Sequence, residues 1–332
     1  MRATISEDLK SFSGQPFPLI MSNDDNMISN EEDAVSWIKD YKPAILDCLQ
    51  QHGAVLLRSM PLDVPEAFSL FARAFNFPKF RYINGAAIRH KHAIEVYTEC
   101  EIDASLYIFL HHELAQSTEY PRYVLFFCEQ PAANGGETML LSSIDLHDRI
   151  EKEMPEFVRE LEAKGVLYTR YMSEYDMNDG NGRGWKNSLW SSTKKQAENE
   201  MTKLGLTWEW LPNEGLLTKL RAPAIRVHPQ HGRKVWFNHI TNNHQIICRH
   251  KRLHPEALHL SNVTFGDGSP FPEDKLHRII EIQQELCYDV QWRHGDVLLI
   301  DNFAVQHGRR PYDGSRRNVF ISSWGAEDGS SF

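Results

Sequence analysis

Between Glu31 and Gln51 apolar residues recur at helical spacing, with Val35, Trp37, Ile38, Ile45, Leu46 and Leu49 as the inward positions. The pattern stops at Gly53, and Ala54-Val55-Leu56-Leu57 then reads as a strand. A second helix is predicted over Pro65 to Phe77. Farther on, short strand-like runs recur: Leu106 to Leu110, Tyr123 to Cys128, Thr138 to Leu141, Val235 to Phe237, Val297 to Ile300 and Val319 to Ser322. Between 141 and 235 the pattern turns helical. Ser143 to Lys164 carries Ile144, Leu146, Ile150, Phe157, Val158 and Leu161 near one face, and Lys194 to Leu204 follows. A further helix is predicted near Pro272 to Glu285.

Strands on both sides of a helical insertion, without strand–helix–strand alternation, argue against a doubly wound parallel sheet. The expected fold is mainly β with α, an antiparallel jelly roll with flanking helices and a long helical insert. No repeat, low-complexity block or Pro/Gly/Ser-rich linker divides the sequence. Residues 1–332 are read as a single catalytic domain, with core strands about 50–142 and 220–325 and the insert about 143–220.

Composition narrows the classes of partner. The formal charge of −9, from 36 Lys+Arg against 45 Asp+Glu, repels nucleic acid and anionic membrane surfaces. Neither is expected as a partner, although one local arginine can still hold a small anion. Five scattered cysteines without a CxxC pair are poor material for a disulfide framework or a structural zinc site. The N-terminal apolar run FPLIM is too short for a signal-peptide core, and no segment reaches the roughly 18 apolar residues of a membrane span. A cytoplasmic protein is expected. Nothing in the pattern speaks to oligomeric state.

The chemistry starts at Ile108-Phe-Leu-His-His-Glu-Leu114. In extended chain, residues two apart share a side, so His111 and Glu113 can bind one metal while His112 faces away. A second imidazole must come from elsewhere, and His307 is the candidate, shortly after the apolar strand at 297–300 and Asp301-Asn302. Two His and one carboxylate on one face form the facial triad of non-heme Fe(II) oxygenases, which leaves sites for a chelating cosubstrate and O2. Each signal alone is weak: with 16 histidines a chance HxE is common, and a histidine at a strand end is more often a hydrogen-bonded core residue. Two neighbours sharpen the reading. A dicarboxylate cosubstrate needs a buried cation for its far end, and arginine supplies a permanent, forked charge. Arg316 and Arg317 open the strand Val319-Phe-Ile-Ser, where one of two successive residues faces inward. Thr138, after the loop Gly135-Gly136-Glu137, can donate its hydroxyl to the same carboxylate.

In this combination the chain resembles the taurine dioxygenase/TfdA-like family, with clavaminate synthase as a relative. The matching pieces are His111-x-Glu113, Pro121 to Cys128 followed by Pro131-Ala-Ala-Asn-Gly-Gly-Glu-Thr138, Gly295-Asp-Val-Leu-Leu-Ile-Asp-Asn302 leading to His307-Gly-Arg, and Arg316-Arg317. Thr138 follows Glu113 after 24 intervening residues and His307 follows after another 168. Weaker matches at Gln51 to Arg58, Gly184-Trp185 and Val235 to Asn238 extend the likeness over about residues 45 to 325.

The resemblance implies a double-stranded β-helix with Fe(II) bound by His111, Glu113 and His307. It implies 2-oxoglutarate, held by Thr138 and Arg317 in preference to Arg316, and O2 as reactants. The implied reaction hydroxylates an unactivated C–H bond of an amino-acid-like small molecule, free or carrier-bound, while 2-oxoglutarate is decarboxylated to succinate. Desaturation or epoxidation is the alternative within the family. Glu113 departs from the Asp of the taurine dioxygenase type and resembles the clavaminate synthase branch; a retained carboxylate argues against halogenation. Two rivals stand outside the family: a zinc hydrolase, which lacks its expected HExxH helix here, and a non-catalytic jelly-roll binding protein. Arg89, Trp185 and Asn238 are candidate pocket residues, with an exposed arginine, a core aromatic and a turn amide as the plainer readings.

Overall fold

The computed structural model describes residues 2–4, 10–99, 101–176, 182–256 and 259–325, the first three by backbone alone. Its centre is an eight-stranded sheet in the order Arg2–Thr4, Leu19–Ser22, Ala54–Arg58, Val297–Asp301, Tyr123–Gln130, Asn318–Trp324, Val96–Thr98 and Lys91–Ala93. A four-stranded sheet faces it, in the order Tyr288–Val290, Thr138–Ser142, Val305–Arg309 and Ile108–His111. Sequence neighbours are not sheet neighbours: Tyr123–Gln130 lies between two strands from the last part of the chain, antiparallel to both.

The run Tyr123 to Cys128 is apolar without interruption because both sides of its strand are covered. Val124, Phe126 and Cys128 point into the core between the two sheets, with Leu56, Leu140, Leu298, Ile300 and Val305. Leu125 and Phe127 point the other way, onto Phe68, Phe71 and Ile38 of the helices Glu31–His52 and Pro65–Ala74. Each buried side chain of this size contributes about 1.5–3 kcal/mol of transfer free energy. The first helix is set locally: the Asn30 side chain accepts the N–H of Asp33 at 2.9 Å, and three acidic residues sit in the first turn.

Three expectations need correcting. The stretch 143–164 forms two helices, Ser143–Glu153 and Pro155–Lys164, because the residue before a proline is pushed out of helical conformation. The insert is not purely helical. Val166–Met172, Thr207–Trp210 and Leu216–Ala222 join Asn262–Phe265 in a third antiparallel sheet. Its signal was the alternation at Leu216, Thr218, Leu220 and Ala222, all buried, against exposed Lys219 and Arg221. A helix at Ile240–Leu253 was also not expected from the polar stretch that forms it. The overall class is therefore mixed α/β, with two facing sheets and an insert of both kinds. Among the described residues no helix is long and apolar enough to cross a membrane.

Candidate metal centre

His111 is the last residue of its strand and sits directly across from His307 on the neighbouring one. The register slips between His307 and Arg309, and Gly308 lies in the slip. A Cβ at that position would stand 2.6 Å from the carbonyl oxygen of Ile108 and 2.8 Å from Met139 Cε. Only glycine lets the two strands close beside His307.

Glu113 lies beyond the strand, yet its side chain shares a side with His111. Asn302 holds it there: its Oδ1 accepts the Glu113 N–H at 2.7 Å, and its Nδ2 donates to the carbonyls of Glu113 at 3.0 Å and Pro121 at 2.8 Å. His112 turns away as expected. It is buried, with Nδ1 2.6 Å from the Asn302 carbonyl and Nε2 2.9 Å from the Ser143 hydroxyl. Asp301, next to Asn302, is fixed by Arg122 at 2.7 Å and His228 at 2.9 Å. Burial alone would raise the Asp301 pKa, but the Arg122 charge and the His228 hydrogen bond outweigh it and hold it at about 2.

The outcome is that His111, Glu113 and His307 each turn a ligand atom to one point, all within 4.8 Å of one another. His307 Nε2 is 3.8 Å from Glu113 Oε2, and the two imidazole centroids are 4.4 Å apart. His111 Nδ1 meets the Phe109 carbonyl at 2.8 Å, which leaves Nε2 as the free lone pair. Electrostatics favour a cation at that point. Burial holds His111 below its usual range, and burial with His111 holds His307 well below it. Burial would raise Glu113, but Arg89 and His111 keep it low and ionised. Neutral imidazoles and an ionised carboxylate are the forms that bind metal. A second group, His244, Glu273 and His277, also has the spacing for a metal, but its Glu273 side chain is 69% exposed on a helix surface, away from any such burial.

Sequence reasoning named Arg89 only as a candidate pocket residue and missed Tyr82 and His239. Arg89 is not the exposed residue that was its plainer reading: its side chain is 10% exposed and Nη2 lies 2.8 Å from Glu113 Oε2. Tyr82 lies under the Arg89 guanidinium at 4.6 Å from its ring centre, and also hydrogen-bonds Glu113. His239 stands edge-on to His111 and meets the His112 carbonyl through Nε2 at 2.5 Å. Trp185 and Asn238 follow their plainer readings. Trp185 packs on Trp210 in a separate core cluster. Asn238 bonds the Ala224 carbonyl at 2.8 Å and the Ile240 N–H at 2.9 Å, at the start of a helix.

The arginine pair divides cleanly. Arg316 is 77% exposed and points toward Glu129. The Arg317 side chain is 4% exposed, its Nε donating to the Gly136 carbonyl at 2.9 Å and its Nη1 lying 2.5 Å from Glu99 Oε2. Gly136 has φ +74, and a Cβ there would stand 3.0 Å from Arg317 Cδ, so this loop can cradle the guanidinium only without a side chain. Thr138 stands beside the same group, accepting from Trp292 Nε1 at 3.0 Å and reaching Glu99 Oε1 at 3.5 Å. Arg317 Nη2 is buried without a hydrogen-bond partner among the described residues. It is a spare donor. Thr138 precedes Leu140, the strand partner of His307, by two residues, or about 7 Å of strand. A five-carbon dicarboxylate spans that distance. The metal point, Glu99, and Arg89 all face one cavity of about 930 Å³, walled on the far side by Tyr168 and Leu220 of the third sheet and by Asn242 of the unexpected helix.

Two imidazoles and a carboxylate converging on the wall of an open cavity are a donor set that suits mononuclear non-heme iron. The sequence matches the model of the taurine catabolism dioxygenase TauD, TfdA family over residues 30–324, and the chain belongs to that family. It is an Fe- and 2-oxoglutarate-dependent dioxygenase. Over 314 residues it is 37% identical to a clavaminate synthase-like protein of Arabidopsis thaliana, across 93% of this chain and 94% of that one. It is 28% identical over 290 residues to the dapdiamide synthesis protein DdaC of Enterobacter agglomerans, covering 81% and 82%. The crystal structure of PvcB from Pseudomonas aeruginosa has the same fold at a TM-score of 0.53 and 16% identity, covering 99% of this chain and 96% of that one.

Asn302 offers a direct check on how the site is assembled. Asn302→Ala leaves the buried N–H and carbonyl of Glu113 without partners, a cost of about 1–3 kcal/mol for each unsatisfied group. Iron affinity should fall roughly 10–100-fold, as for other outer supports of a ligand, while His111 and His307 stay in place. Metal titration of the variant measures this; unchanged iron affinity would remove Asn302 from the support of Glu113.

Proposed function

We propose that His111, Glu113 and His307 hold the iron, that Arg317 and Thr138 hold the distal carboxylate of 2-oxoglutarate, and that the chain hydroxylates an amino-acid-like small molecule, free or carried on a partner protein. The observation that carries the reading is the convergence of three metal-competent donor atoms on one wall of the cavity, with Thr138 two strand residues from the partner of His307 and a buried, half-partnered arginine nearby. Iron and 2-oxoglutarate together supply the activation of O2 and the oxidising power. The protein's part is to orient and to exclude water. Asn302 fixes the Glu113 backbone, Arg89 and Tyr82 hold its carboxylate, and the Phe126 ring packs 5.1 Å from the His307 ring, closing the core side of the site.

The substrate class is supported by the cavity wall. Arg249 lines it together with Glu101, Asp103 and Asp176, so both signs of charge are offered, as a zwitterion requires. The relative DdaC is named for dapdiamide synthesis, which agrees with an amino-acid-like substrate. The two-sheet core is read as the family's double-stranded β-helix, and the third sheet, which supplies one wall of the cavity, as part of the same catalytic unit. Four described cysteines are free, which suits a reducing cytoplasm.

The test is O2 uptake and succinate release by anaerobically iron-loaded protein, screened against amino acids. Consumption of 2-oxoglutarate stimulated by one of them is expected. Oxygen uptake indifferent to both iron and 2-oxoglutarate would reject the assignment, and stimulation only by substrates without an amino or carboxylate group would reject the substrate class.

A further inference from the structure

Glu99 has no part in the chemistry described so far, yet its carboxylate lies where an anion is to be received. We propose that Glu99 is a built-in competitor for the distal carboxylate of 2-oxoglutarate, and that it sets the protein's affinity for this cosubstrate. The inference rests on the reading of Arg317 and Thr138 as the seat of that carboxylate.

The placement follows from the chain. Glu99 comes directly after the strand Val96–Thr98, and its backbone N–H donates to the carbonyl of Val319 at 3.2 Å. That bond stations its side chain beside Arg317, two residues before Val319 and just ahead of the neighbouring strand Asn318–Trp324. Both oxygens are engaged: Oε2 with Arg317 Nη1 at 2.5 Å, and Oε1 with the Thr138 hydroxyl at 3.5 Å. The two groups that would receive an incoming carboxylate already face one. Of the Arg317 donors, Nε is taken by the Gly136 carbonyl, and Nη2 alone is spare.

An arginine already neutralised by a carboxylate attracts a second one weakly. With both anions against one guanidinium and little water between them, their mutual repulsion is poorly screened. Full engagement of 2-oxoglutarate therefore requires Glu99 to leave. A route exists, because Glu99 lines the open cavity, beside Glu101 and Asp103. Rotation about side-chain bonds suffices, without unpairing the strand. While Glu99 fills the seat the protein is not competent to bind, so the observed dissociation constant exceeds the intrinsic one by the reciprocal of the open fraction. Glu99 also keeps the buried arginine paired when no cosubstrate is present.

Calorimetric titration of 2-oxoglutarate into the Mn(II)-loaded protein reads the effect without turnover, with Mn(II) binding measured in parallel. Glu99→Gln keeps the shape and removes the charge; Glu99→Ala removes the side chain. Both should bind 2-oxoglutarate at least tenfold more tightly, about 1.4 kcal/mol, with Mn(II) affinity unchanged. If Glu99→Ala does not fold, Glu99→Gln alone decides. Equal or weaker binding by the Gln variant overturns the proposal and makes Glu99 an orienting partner of Arg317. Arg317→Ala separates the two readings: should it bind 2-oxoglutarate as tightly as the parent, the seat itself is misassigned, whatever Glu99 does.

Discussion

His307→Ala is expected to abolish iron binding at stoichiometric concentration and to take 2-oxoglutarate turnover to background. The loss should exceed the roughly 10–100-fold typical of outer-shell partners, because a donor atom is itself removed. Its consequence for folding should be small by comparison. His307 lies on a strand flanked on both sides, so the backbone ladder survives the truncation, and the site loses a buried imidazole that burial already keeps neutral. Metal analysis after anaerobic loading, with succinate release assayed on the same sample, measures both effects. A variant that retained iron and turnover would mean that the third ligand lies elsewhere.

Arg317→Ala should damage two properties at once. Hydrogen bonds to a charged group contribute about 1.5–3 kcal/mol each, so KM for 2-oxoglutarate should rise about 10–100-fold. The truncation also removes the partner of Glu99, and breaking a buried pair by removing one partner costs up to about 3–5 kcal/mol of stability, less what Glu99 regains by turning into the cavity. Denaturant unfolding checks the second effect, and the double variant Arg317→Ala/Glu99→Ala isolates it. Stability should largely return in the double variant, whereas 2-oxoglutarate binding should not. Arg317→Lys should rescue poorly, because an ammonium cannot serve Gly136, Glu99 and a ligand from one planar fork. An unchanged KM in Arg317→Ala would sink the seat, and an unchanged unfolding midpoint would show the pair with Glu99 to be without energetic weight.

Much of the core was readable from pattern because the chain there has one job per position. Tyr123 to Cys128 is unbroken apolar sequence because both faces of its strand are covered, and such a run has few other uses. The insert was less legible. Val166–Met172 mixes polar and apolar residues because one side of the third sheet faces the cavity, and a functional wall does not keep the apolar alternation of a core. The helix Ile240–Leu253 escaped for the same reason: Asn242, Asn243, Arg249 and His250 are placed for the cavity, which blurs the apolar stripe that would have announced it.

By itself the sequence determined the donor types and their order: an imidazole and a carboxylate two residues apart, a distant imidazole, then paired arginines. These are local chemical facts, fixed by residue identity and by the two-residue alternation of extended chain. The tertiary structure alone decided which arginine turns inward, that Arg89 backs Glu113, and that Asn302 holds Glu113 past the end of its strand. It alone placed Glu99 against Arg317, 218 residues away along the chain. Such pairings depend on which strands become neighbours in the sheets, and no local pattern of polar and apolar residues encodes that order.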